Sequence, residues 1–116
     1  MKDKPGDKQR LLHILDAITE IEKYTANKSF ADFLANSMMR FASIKQIEII
    51  GEAAYFITSE TKTKFPVIEW DKIAGIRHIL VHEYFGIDEH IVWQIIVTDI
   101  PELKEQTRNM LSQIGQ

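Results

Sequence analysis

Four side chains that could take part in catalysis lie within eight residues of an otherwise apolar segment: Arg77, His78, His82 and Tyr84. Histidine can take up and return a proton near neutral pH. The planar guanidinium of arginine can bind a phosphate and stabilise the added negative charge of its transition state. In RNA, a general base acting on the 2′-hydroxyl would let that oxygen attack the adjacent phosphate. The set is therefore sufficient for ribonuclease chemistry without a metal ion.

Two other interpretations of the same residues stay open. His78 and His82, four residues apart on a helix, could hold a metal ion. Against this, the chain has no cysteine to serve as a further ligand, and Ile79 stands where the HExxH pattern requires glutamate. The residues could also have no chemical role, with His82 interacting with the dipole at a helix end and Arg77 forming an ion pair.

Helical geometry separates the two residues that the chemistry would need. At about 100° per residue, Tyr84 lies about 20° from Arg77 around the axis, whereas His82 lies about 140° away. If Arg77 and His82 act on one atom, either the helix frays near His82 or a second copy of the helix provides one of the two side chains. Geometry alone leaves these two alternatives open, and it predicts that Tyr84 lies beside Arg77.

Apolar periodicity predicts the helices of the first half of the chain. Apolar residues at three- and four-residue spacing indicate a first helix from Asp7 to Thr25. Ser29 can cap a short second helix of one or two turns. The longest pattern starts at Asn36 or Ser37 and continues to about Ser59.

The long third helix carries more apolar surface than one contact needs. Gly51 and Ala54 are the smallest members of its core-facing stripe, and the glycine would let another backbone approach closely. Phe41, Ile49 and Phe56 lie off that stripe. They indicate a second packing surface, either within the bundle or on another protomer.

The motif lies on a predicted fourth helix. Residues 61–64 form a polar connector in this interpretation, and the residue before Pro66 is forced into extended backbone. The helix should then begin near Glu69 or Trp70. It should end at about Tyr84, because the following Phe-Gly pair suits a helix terminus.

The last third of the chain predicts two further helices. Asp88 can cap a helix that continues to about Thr98. The β-branched run at 95–98 also has strand propensity, but no second strand pattern lies nearby, so a helix is favoured. Pro101 fits the first position of a last helix, where its missing N–H is harmless.

Composition bounds the class of protein. The chain has 116 residues and no internal repeat, which predicts one all-α domain over residues 1–116, a bundle of about five or six helices with residues 1–6 flexible. It has no signal-peptide pattern and no apolar stretch long enough to span a membrane, so we expect a cytoplasmic protein without a membrane partner. The net charge of −3 argues against broad nucleic-acid binding, and no DNA partner is expected.

Arg77, His82 and Tyr84 form the Arg-x4-His-x-Tyr motif of the HEPN superfamily, in the variant found in HepT toxins. The segment 50–54 resembles a Gly-Glu-Ala segment of those proteins. One departure is His78, at a position where these toxins most often have asparagine. The resemblance covers nearly the whole chain, since similar residues also stand at Pro66, Trp70, Ile73, Trp93 and Pro101-Glu102-Leu103.

The resemblance implies a HEPN-like homodimer in which the motif helices of the two protomers line one site, so we predict an active site shared across a two-fold interface. It also implies the toxin of a type VII toxin–antitoxin system, which cleaves RNA, either tRNA or mRNA, without metal or cofactor. It assigns Arg77 and His82 as catalytic. For His78, which departs from the family pattern, we expect a supporting role in orientation. It also implies a partner, a MntA-type nucleotidyltransferase antitoxin that transfers AMP to Tyr84. The added phosphate charge would repel or block RNA at Arg77. The alternative is a catalytically silent helical dimer that binds nucleotides or that partner.

Overall fold

The computed structural model describes the backbone of residues 6–82 and 88–114, and the side chains of 6–76 and 88–114. Every regular element in these ranges is helical, so the predicted all-α class is confirmed. The elements are α1 (Asp7–Thr25), α2 (Phe30–Ala35), α3 (Ser37–Tyr55), α4 (Ser59–Lys64), α5 (Trp70–His82), α6 (Glu89–Gln94), a π-helical turn (Ile95–Asp99) and α7 (Ile100–Ile114). Residues 1–5, which carry most of the predicted flexible segment, lie outside the described residues.

Helix α3 is central to the bundle, because it packs against α1 on one side and against α5 on another. The apolar stripe of α1 is buried in this contact, as its spacing predicts: Leu11, Ile14, Ala17, Ile18 and Ile21. Each buried Leu or Ile side chain in this set contributes about 1.5–3 kcal/mol. The packed pair of helices α1 and α3 therefore supports α5, which contacts α3.

Local capping explains where α2 and α3 begin. Ser29 and Asp32 form a capping box, in which the Asp32 N–H donates to Ser29 Oγ (3.1 Å) and the Ser29 N–H donates to Asp32 Oδ2 (2.9 Å). The Met39 N–H donates to Asn36 Oδ1 (3.0 Å) at the start of α3. These bonds satisfy backbone donors that a helix start leaves unpaired. The predicted starts of both helices are confirmed.

The end of α3 and the segment after it differ from the prediction. The helix ends at Tyr55 rather than about Ser59, and the expected connector at 61–64 belongs to α4. Asp7 on α1 explains this difference, because its carboxylate accepts bonds from the Thr58 N–H (3.1 Å), the Thr58 hydroxyl (2.6 Å) and the Thr61 hydroxyl. A carboxylate at the start of a short helix stabilises it.

The same bonds set the ionisation of Asp7. Burial raises the pKa of its carboxyl group, but the hydrogen bonds from Thr58 and Thr61 and the positive charge of Arg10 outweigh burial and hold this pKa below its usual value. Asp7 is thus favoured in the charged form that joins α1 to α4.

The C-terminal helix is longer than predicted. Asp88 caps α6 by accepting from the His90 N–H (2.8 Å), and the helix then continues through residues 95–98, so the strand alternative is excluded. Pro101 lies inside this continuous helix and does not open a new one, which corrects the prediction. Proline lacks an N–H, and its ring would clash with the carbonyl four residues earlier. The π turn before it, where the Ile100 N–H donates to Ile95 O, widens the helix at this point.

Candidate functional site

The motif helix α5 extends from Trp70 to His82, so Arg77, His78 and His82 share one continuous helical backbone. The predicted start at Trp70 is confirmed. The predicted end near Tyr84, and Tyr84 itself, lie outside the described residues, as do the side chains of 77–82. Positions 77 and 82 on this helix differ by about 140° around the axis.

The first half of α5 is anchored in the core. The Trp70 side chain is buried and its indole N–H donates to Phe65 O (3.1 Å), which fixes the approach of the chain to the helix. Ile73 and Ile76 pack against the buried core between α3 and α5. Because the N-terminal turns are held in this way, the rotation of α5 about its axis is fixed before the chain reaches Arg77.

A cleft of about 560 Å³ lies beside α5, opposite α6 and the π turn. Its α5 wall is formed by Lys72, Gly75 and Ile76; the other wall is formed by His90, Ile91, Gln94, Ile95 and Asp99. Lys72 joins the two walls through an ion pair with Asp99 (3.8 Å), and it also lies 3.7 Å from Glu69. The sequence pattern did not predict this cleft, although the glycine in the middle of the motif helix was a signal for it.

The outward face of α3 is the second exposed feature. We define it by Met38, Phe41, Lys45, Glu48 and Tyr55, which follow one another at spacings of three, four, three and seven residues and so share one side of the helix. Met38, Phe41 and Tyr55 are 79%, 65% and 64% exposed, while the Lys45 ammonium lies 3.9 Å from the Glu48 carboxylate.

Two of the three residues predicted to lie off the core stripe of α3 are exposed. Phe41 and Phe56 are both open to solvent. The third, Ile49, packs against the core of its own protomer. The second packing surface indicated by the sequence is therefore partly satisfied within the bundle.

The two histidines outside the motif do not meet. His13 on α1 is exposed and forms a side-chain hydrogen bond with Gln9 (3.3 Å). His90 on α6 places its ring on Phe30, with the ring centroids 4.3 Å apart. Among the side chains at 6–76 and 88–114, no group of three or more histidine or acidic residues is placed to hold a metal ion.

None of the described helices is long and apolar enough to cross a membrane.

Comparison with known proteins identifies the family. A family model described as Ribonuclease HepT-like matches residues 14–110, most of the chain and all of the described part of α5. The chain belongs to the HepT-like family. The membership inferred from the Arg77–Tyr84 motif is thereby confirmed.

Relatives of this HepT-like chain are similar over most of its length. The "Probable ribonuclease HepT" of Thermococcus cleftensis is 41% identical over 101 residues, which is 87% of this chain and 92% of that protein. The "Putative RNase MJ1380" of Methanocaldococcus jannaschii is 38% identical over 96 residues, 83% of this chain and 88% of that one.

A longer relative contains the same kind of domain. The "Gamma-glutamylcyclotransferase and putative RNase MJ0434" of Methanocaldococcus jannaschii is 38% identical over 104 residues, which is 90% of this HepT-like chain but 47% of that protein. No solved structure gave a significant match.

Proposed function

We propose that this chain is a metal-independent endoribonuclease and the cytoplasmic toxin of a type VII toxin–antitoxin system, with Arg77 and His82 as its catalytic residues. The observation that carries the proposal is that its HepT-like relatives bear ribonuclease names and align over most of the chain. The continuity of α5 from Trp70 to His82 gives further support, because both residues then stand on one rigid element.

His82 acts as the general base and acid in the proposed reaction, and Arg77 binds the phosphate. The base removes the proton of a ribose 2′-hydroxyl, and the 2′-oxygen attacks the adjacent phosphorus. The bond from phosphorus to the 5′-oxygen of the next nucleotide breaks, and that oxygen takes up a proton. The products are a 2′,3′-cyclic phosphate and a 5′-hydroxyl, and no metal enters any step. His78 supports the orientation of the site.

The proposed site is shared by two protomers, because positions 77 and 82 lie about 140° apart on one helix. The outward face of α3 supports a two-fold pairing of antiparallel helices. In that register Lys45 of one copy lies opposite Glu48 of the other, and Met38 lies opposite Tyr55. Opposite charges meet at the centre of this register and an apolar pair lies at each end, as a two-fold interface allows, whereas Phe41 lies opposite the exposed Glu52.

The proposed regulation is transfer of AMP to Tyr84 by a MntA-type nucleotidyltransferase antitoxin. If the helix continued from His82 to Tyr84, position 84 would lie about 20° from position 77 around its axis. A phosphate and a nucleoside attached there would occupy the approach to Arg77 and repel RNA phosphate.

Cleavage of RNA by the purified protein tests the proposal. We expect cleavage of tRNA or mRNA in the presence of a chelator. Arg77→Ala and His82→Ala should each lower the rate by about 100-fold or more, the effect of losing a transition-state donor or a general base. Arg108→Ala and His13→Ala are matched controls, because both side chains are exposed on other helices, and they should cleave at the wild-type rate. Cleavage that survives the first two changes, or that disappears with the chelator, contradicts the mechanism.

A further inference from the structure

Gly75 is placed in the interior of α5, where glycine weakens a helix more than any residue except proline. A common reason for such a glycine is a neighbouring chain that approaches too closely for a side chain. A Cβ added at Gly75 would have no heavy atom of a neighbouring element within 4 Å. The contacts that the structure gives this position therefore supply no reason for the glycine. Its open side faces the cleft that it lines.

The walls of the cleft suit a flat apolar ring. Ile76 stands beside Gly75 on one wall, and Ile91 and Ile95 stand on the other. Ile91 is 53% exposed at this point. The π turn that begins at Ile95 is a form of helix that occurs often at functional sites. A planar group lying against the bare backbone at Gly75 would cover these apolar surfaces.

The rim of the cleft carries groups that can contact a nucleobase. His90 is exposed with its ring supported by Phe30, which leaves imidazole surface for stacking. The Gln94 amide oxygen accepts from the Thr98 hydroxyl (3.3 Å), which orients the amide so that its N–H groups can donate to a base edge. Proteins recognise single-stranded RNA in this way, by stacking unpaired bases and bonding their edges.

The charges of the cleft favour a neutral base over a phosphate or a second protein chain. Lys72 is the cation among its described lining residues, and it is shared between the carboxylates of Glu69 and Asp99. A phosphate placed there would meet that negative charge. A second copy of the chain would cover this ion pair together with His90 and Gln94 without offering them the hydrogen-bonding edge that a base has.

We propose that the cleft between α5 and α6 binds an unstacked base of single-stranded RNA, next to the phosphate that is cleaved. The proposal rests on the proposed ribonuclease function for the identity of the RNA. Positions 75 and 82 differ by only about 20° around the helix, whereas position 77 lies about 160° from position 75. A base in the cleft would therefore place its phosphate on the same side of α5 as position 82, and the Arg77 that binds this phosphate would come from the other protomer of the proposed dimer. Gln94 would select among bases by their edges.

Binding of single nucleotides tests the cleft independently of cleavage. The full chain is titrated with AMP, GMP, CMP and UMP, and backbone amide shifts are followed by NMR. We expect concentration-dependent shifts at Gly75 and Gln94. Gly75→Leu, which fills the cleft, should weaken binding about tenfold or more, the effect of losing one stacked base. Gln94→Leu should reduce the differences between the four nucleotides.

Stability and assembly measurements separate this role from a structural one. Gly75→Ala should raise Tm by about 4 °C, because alanine favours the helix and its Cβ meets no neighbour, yet it should bind nucleotides more weakly. Gly6→Ala is the matched control, since its Cβ would also meet nothing within 4 Å, and it should bind as the wild type does. A protein that becomes more stable while it loses binding has not lost function by misfolding.

Three results would overturn the proposal. They are the absence of shifts at the cleft up to millimolar nucleotide, unchanged binding by Gly75→Leu, and a fall in the molar mass of Gly75→Leu, which would make the cleft a contact between protomers.

Nucleotide binding at the cleft in a protein that cleaves no RNA would refute the ribonuclease function and leave the site standing. If the chain cleaves a randomised RNA pool, Gln94→Leu should change the bases found beside the mapped cuts. Unchanged cut sites would be a fourth result against the base subsite, and they would leave the ribonuclease function standing.

Discussion

Two inactive variants should restore activity to one another when they share a dimer. The change is Arg77→Ala in one population and His82→Ala in the other. Positions five residues apart on α5 are separated by about 140° around the axis and by about 7.5 Å along it. If the arginine of one protomer acts with the histidine of its partner, a mixed dimer has one site that lacks both residues and one site that is complete.

The size of the effect follows from this arrangement. Random exchange of equal amounts makes about half of the dimers mixed, and each mixed dimer has one working site of two. The expected rate is therefore about one quarter of the wild-type rate per protomer. Because each variant alone should be slowed about 100-fold or more, the restored rate would stand well above both parents.

The assay is RNA cleavage after the two variants have been unfolded together and refolded. Native mass spectrometry of differently tagged chains measures the fraction of mixed dimers, so that the rate can be plotted against that fraction. A linear rise to about one quarter of the wild-type rate supports the shared site. If mixed dimers form and the rate equals the mean of the two parents, Arg77 and His82 act within one protomer and the geometric reasoning is wrong.

Three further predictions concern stability and regulation. Asp7→Asn should lower the free energy of unfolding by about 1–2 kcal/mol in urea titrations, because the amide replaces a partly exposed charged acceptor of the Thr58 and Thr61 bonds. The control is Asp16→Asn, an exposed change on the same helix, whose free energy of unfolding should stay within about 0.5 kcal/mol of the wild type. The pKa of Asp7 in the folded protein lies below its usual 3.8, so its contribution to stability should be complete above pH 3.8 and should be lost as the pH falls through the folded-state pKa. A difference in stability between the Asp7→Asn variant and the wild type that persists in more acidic solution would contradict this role of Asp7. Phe33→Ala should cost about 3–5 kcal/mol in the same titration, since the ring is fully buried and its centroid lies 5.1 Å from that of Trp93; a cost below about 1 kcal/mol would mean that the site collapses around the lost ring. Tyr84→Phe should retain RNA cleavage and gain no AMP on co-expression with the antitoxin, as judged by intact mass, and an adduct on this variant would place the modification elsewhere.

Local residue patterns determined much of the helical framework. The bounds of α1 follow from apolar residues at three- and four-residue spacing, which is how a helix presents one face to a core. The starts of α2 and α3 follow from Ser29 and Asn36, because a cap acts on backbone donors two or three residues away. The motif from Arg77 to Tyr84 is also a local pattern, and together with similar residues elsewhere in the chain it predicted the family.

The tertiary structure decided the features that depend on distant residues. Helix α4 forms where Asp7, far away in sequence, reaches Thr58 and Thr61, and nothing within residues 58–64 reveals that partner. The continuity of the helix through Pro101 depends on the widened turn before it, an adjustment that apolar periodicity does not encode. The cleft at Gly75 exists only because α6 and the π turn lie beside α5. Periodicity and caps act within a few residues along the chain, whereas these features arise from contacts between separate helices, which is why they required the folded structure.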